Sequence, residues 1–67
     1  MKDETIYTTT GYDESLTGTA DSIIEYVEHE TGMIVKRNGD TIWVAEGQKQ
    51  TIYIIKLIET IILGEIS

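Results

Sequence analysis

Hydrophobic and polar positions alternate with two different periods along this chain. In "TIYTTT", residues 5–10, β-branched and aromatic side chains run together, which predicts a first strand. In "DSIIEYVEHET", residues 21–31, Ile23, Ile24, Tyr26 and Val27 fall on one side of a helical wheel and Glu25, Glu28 and His29 on the other. That spacing predicts a helix. Thr19 or Asp21 can cap its start, and Gly32 supplies the left-handed residue that ends it. "MIVKRNGDTIWVAEG" predicts a hairpin of strands 33–37 and 41–46, joined at Asn38-Gly39 by a type I′ turn with positive φ at both residues.

Two stretches remain. Residues 11–16, "GYDESL", combine turn formers with acids and suit a short helical turn. The last element, about residues 49–63, reads as a long helix: Ile54, Ile55, Leu57, Ile58, Ile61 and Ile62 form a wide apolar arc. Lys56, Glu59 and Thr60 recur opposite it, and Ile52 and Leu63 fall outside the arc. Its β-branched density lowers helix propensity, so a strand is the competing reading. The coarse order is strand, short helical turn, helix, strand, strand, helix. The expected fold class is therefore α+β, a small antiparallel sheet of three strands with helices packed on one face.

That order resembles the KH domain of eukaryotic-type topology. The family's signature is Gly-x-x-Gly, two residues, Ile, two residues, Ile, three residues and Thr-Gly. Thr31-Gly32 matches its end, Val27 and Ile24 its two apolar anchors, and Gly18-Thr19-Ala20-Asp21 its loop, with Asp21 in place of the second glycine. The resemblance implies one KH-like domain over residues 1–67, with the hairpin 36–40 as the family's variable loop. It also implies that the loop backbone clamps about four nucleotides of single-stranded RNA or DNA. Here the carboxylate of Asp21 stands where phosphate would sit. At about 4 Å two like charges repel by about 1 kcal/mol in bulk water and by several at an effective dielectric near 20. The fold is therefore carried over without the activity, as a degenerate KH protein.

Charge points the same way. The chain has 67 residues and a formal net charge of −7, from 12 acids against 5 bases. Nucleic-acid affinity comes mainly from Lys and Arg neutralising phosphates, so nucleic acid is a poor fit. A basic protein would be steered toward such a chain. With 40% hydrophobic residues the composition is that of a folded domain, and a core this small favours tight packing or self-association. There is no Cys and one His, which leaves neither disulfides nor a zinc set. Asp13, Gly18 and Asp21 occupy positions one, six and nine of a calcium loop, but position twelve is Ile24 rather than a bidentate Glu. His29 lies on a solvated helix face with no nucleophile paired to it, so no enzyme, cofactor or metal is expected. The N-terminus lacks an apolar signal core, and the run 52–63 is broken by Lys56 and Glu59, short of the about 20 residues that span a bilayer. The expected place is the cytoplasm, away from membranes.

The expected function is a small acidic, non-catalytic protein-interaction module, an adaptor or an inhibitor of a basic, nucleic-acid-handling partner. Its candidate contacts are Asp21, Glu25 and Glu28 on the helix, with Trp43 and Tyr7 on the sheet. Alternation puts Ile42 and Val44 on one face and Trp43 on the other. Trp43 is then either on the open face, where Tyr7 joins it, or in the core with the register reversed. One alternative is a weak single-stranded RNA or DNA binder using Gly18, Thr19, Ala20, Lys36 and Arg37. The other is a self-associating subunit, whose resemblance-implied dimer surface is the first strand and the last helix.

Overall fold

A computed structural model describes residues 4–48 and 50–60. Strand β1 (Ile6–Thr10) pairs with the short β2 (Thr17–Thr19), Ile6 opposite Thr19 and Thr8 opposite Thr17. Helix α1 (Ala20–Thr31) then crosses to the other edge of the sheet, where β3 (Ile34–Asn38) and β4 (Thr41–Ala45) form the expected hairpin. Strand β5 (Thr51–Glu59) inserts between β1 and β4. The result is a five-stranded antiparallel sheet, ordered β2-β1-β5-β4-β3 and curled around a single helix.

This corrects the expected α+β, KH-like architecture. The sheet has five strands rather than three, and the described residues contain one helix. Residues 11–14 are bends rather than a helical turn. The largest departure is β5, expected as a helix. Its β-branched residues favour extended backbone, but the deciding factor is non-local. Without β5, the β1–β2 and β3–β4 hairpins would each present an unpaired inner edge; β5 hydrogen-bonds to both. The expected helix positions Lys49, Ile61, Ile62 and Leu63 lie outside the described residues.

Local signals in the middle of the chain act as expected. Thr19 caps α1, its Oγ1 accepting from the Ser22 N–H at 3.2 Å. Gly32, at φ 68°, ends the helix and donates its N–H to the Glu28 carbonyl at 2.8 Å. The hairpin turn sits on Gly39-Asp40, one residue later than expected. Gly39 has positive φ while Asn38 and Asp40 do not, the pattern of a type II′ turn rather than I′.

The core forms where α1 covers the inner face of the sheet. Ala20, Ile23 and Val27 from the helix meet Val35, Ile42, Val44, Ile55 and Leu57 from the strands. One polar residue joins them: Thr9 is 2% exposed. It clamps the β1–β2 connection twice, its N–H donating to the Leu16 carbonyl and its Oγ1 accepting from the Leu16 N–H, both at 3.0 Å. Where β1 leaves the sheet, Gly11 adopts φ 90° with its Cα hydrogen toward the β5 backbone. A Cβ there would stand 2.9 Å from the Ile54 carbonyl oxygen.

Gly11→Ala therefore meets both backbone strain and a backbone clash. It is expected to lower the unfolding free energy by at least ~1–3 kcal/mol, read as a lower urea midpoint. Gly32→Ala has open space around the new Cβ and is expected to lose only the left-handed penalty, about 1 kcal/mol.

Candidate interaction surfaces

Strand alternation assigns every side chain of the sheet to one of two faces. On β4, Ile42 and Val44 point into the core at 0% exposure and Trp43 points out at 38%. On β5, Tyr53, Ile55 and Leu57 point in, and Ile52, Ile54, Lys56 and Ile58 point out. On β3, Val35 and Arg37 share the inner side, and Ile34 and Lys36 the outer. No described element covers the outer face, which leaves Ile34, Ile52, Ile54 and Ile58 between 43% and 49% exposed.

Trp43 is the centre of that face. Lys36 pairs with it from β3 and Ile54 from β5, so one row runs lysine, tryptophan, isoleucine across three strands. Two shallow, open grooves of about 520 and 350 Å³ flank the indole and share Lys36, Trp43 and Thr51 in their walls. Gln48 and Gln50 border the larger one and offer amide donors and acceptors. The outer positions of the described strands include Lys36 and Lys56 and no acid; Asp40 and Glu46 flank β4 at its two ends, and Glu59 ends β5.

The opposite side of the molecule is acidic. Asp21, Glu25 and Glu28 recur at helical spacing on the exposed side of α1. Glu14, from the β1–β2 connection, reaches the same helix and accepts a hydrogen bond from the Tyr26 hydroxyl at 3.0 Å. That bond, with lesser contributions from desolvation and neighbouring carboxylates, raises the Tyr26 phenol above its ordinary 10.0. Tyr12 is raised too, first by desolvation and then by Tyr53, Glu30, Asp13 and Glu14.

The expected contact residues are thus divided between surfaces. Asp21, Glu25 and Glu28 stand together on the helix, while Trp43 lies across the sheet from them. Tyr7 does not join Trp43: it packs against the core from the inner side, where the Arg37 guanidinium lies 5.5 Å from its ring centre and donates to its hydroxyl at 3.3 Å. This contact spans two intervening strands, which the curl of the sheet makes possible.

The nucleic-acid set is divided as well. Gly18 and Thr19 are strand residues paired with Tyr7 and Ile6, and Ala20 is buried in the core. Residues 18–21 run from β2 directly into α1 rather than forming a Gly-x-x-Gly loop. Lys36 and Arg37 face opposite sides of the sheet. A dimer surface of first strand and last helix is likewise replaced, because β1 and β5 lie side by side within the sheet.

Sequence reasoning missed Ile34, Ile54 and Ile58 as surface residues, the last two because a helical β5 puts them in its apolar arc; Ile52 and Lys56, outside that arc, are exposed. Among the described residues no three His, Asp or Glu side chains converge on a metal position, and no helix is long and apolar enough to cross a membrane. Comparison with known proteins finds no matching family model, no matching curated protein and no matching solved structure, so the KH resemblance has no support beyond its motif.

The Glu14–Tyr26 bond gives a local test of the acidic side. Glu14→Gln removes the carboxylate that holds the phenol protonated and is expected to lower the Tyr26 pKa toward 10.0, followed by NMR titration of the ring. An unchanged titration would mean that the pair does not form in solution.

Proposed function

We propose that this chain is a non-catalytic protein-interaction module, an adaptor or an inhibitor, whose working surface is the outer face of the sheet around Trp43. The observation that supports this reading is the chemistry of that face. Antiparallel sheets with one face in water normally alternate apolar-in and polar-out. This one turns tryptophan and isoleucines outward, and aromatic side chains of this kind anchor protein interfaces. Its grooves are too open to enclose a small ligand, which usually loses most of its surface to its pocket.

The acidic stripe of α1 is the second surface of the proposal. It lies on the other side of the molecule and is complementary to a basic protein, including one that handles nucleic acid. Two chemically different surfaces back to back suit an adaptor. Quantitative capture from the source cell tests this, using the wild-type chain, Trp43→Ser, and the combined Asp21→Lys, Glu25→Lys and Glu28→Lys variant. A basic protein is expected to be retained by the wild type and lost by the helix variant, with binding that weakens as salt is raised. Identical recoveries from all three chains would overturn the reading.

One observation favours a second reading. Lys36 beside Trp43 on an acid-free face is a minimal stacking platform for single-stranded nucleic acid. Anisotropy with random single-stranded RNA at about 50 mM salt decides it, since electrostatic affinity is strong there. Saturable binding that Trp43→Ser abolishes is the expected sign of that function, and no binding removes it.

A further inference from the structure

We infer that the outer face of the sheet is covered by the same face of a second copy of this chain, in a two-fold dimer centred near Trp43. This rests on the reading of that face as an interaction surface and names its occupant. The first reason is the composition of β5. A strand covered on one side carries apolar residues at every second position, whereas a strand buried on both sides carries a continuous apolar run. β5 reads "TIYIIKLIE", with Tyr53, Ile55 and Leu57 inside and Ile52, Ile54 and Ile58 outside, interrupted there by Lys56. It has the composition of a strand with a second layer above it.

Charge selects the occupant. Two copies of a chain with net charge −7 repel wherever their acids meet. The acids of α1 and of the β1–β2 connection lie on the side of the sheet away from Trp43. Meeting through the outer faces keeps those acids farthest apart. The match is also complementary within a single chain. Lys36 and Lys56 stand at outer strand positions and Asp40 at one end of β4, so each copy brings charges of both signs to the contact. An isologous interface requires this kind of self-complementarity.

Size favours it as well. Small cores gain from oligomerisation, and stacked sheets pack about 10 Å apart with interdigitating side chains. Five strands of about five residues make a face of about 24 × 17 Å, roughly 400 Å² in projection and more along its side chains. The standard interface buries roughly 800 Å² per partner, about twice that projection, so a weak, concentration-dependent dimer is expected.

The chain contains one Trp, so its fluorescence reports this face alone. Sedimentation equilibrium from about 1 μM to 1 mM is expected to show monomer passing to dimer, with Trp43 emission shifting to the blue over the same range. Ile54→Lys keeps the reporter and is expected to raise the dissociation constant more than about 30-fold, the loss typical of an interface hot spot. Ile34→Lys on the edge strand is the second variant, in case the first disturbs β5, and circular dichroism checks both folds. Glu25→Lys, on the helix, is expected to leave the dimer unchanged.

A monomer at all concentrations, with Trp43 emitting as in water, would overturn the second-copy inference. So would a dimer that survives both face variants, since another surface would then hold it. The interaction-module reading fails separately, if neither the face variant nor the helix variant changes capture of any protein.

Discussion

The pairing of β5 with both β1 and β4 is the constraint on which the rest of the structure depends. The two hairpins flanking it make no ladder with each other; β5 supplies the missing one on each side. Its register then sets the two faces together. With Ile42 opposite Ile55 and Trp43 opposite Ile54, the inner side receives the core and the outer side receives the exposed isoleucines. A shift by one residue would exchange the two sets. Core and interaction surface are consequences of the same alignment.

This pairing is also the least local among the described residues. Thr8 and Thr60, hydroxyl to hydroxyl at 2.8 Å, are 52 residues apart in sequence. Contacts of that separation form late and at an entropic cost, so β1 and β4 offer unpaired edges until β5 arrives. In the folded sheet the edges are the short β2 and the charged β3, with Lys36 and Arg37, both poorly suited to pairing with other chains. What remains exposed after folding is the outer face, and there the hydrophobic surface is concentrated around a single indole.

The middle of the chain was legible because its signals are local. Thr19, the apolar stripe of α1 and Gly32 act within one or two helical turns, and the hairpin depends on a Gly at a tight turn. Even there the detail shifted: positive φ at Gly39 alone moved the turn by one residue. The resemblance to KH domains rested on this same legible stretch. It failed because Gly18 and Thr19 are bound into a strand by β1, a partner that nothing within residues 16–32 announces.

The candidate surface was half legible. Alternation around Trp43 ties Ile42 and Val44 to one face and the indole to the other without saying which face is inside, and the same alternation could not place Tyr7, whose strand pairs elsewhere. The C-terminal run fits two periods at once: Ile54, Ile55 and Ile58 lie on one side of a helix, and Tyr53, Ile55 and Leu57 on one side of a strand. Periodicity alone cannot separate them when nearly every position is apolar. By itself the sequence determined the helix with its caps, its acidic face and the hairpin, because those depend on neighbours within a few residues. Only the tertiary structure decided that the last element is a central strand and that its second apolar side faces outward. That choice depends on two open strand edges supplied by distant parts of the chain.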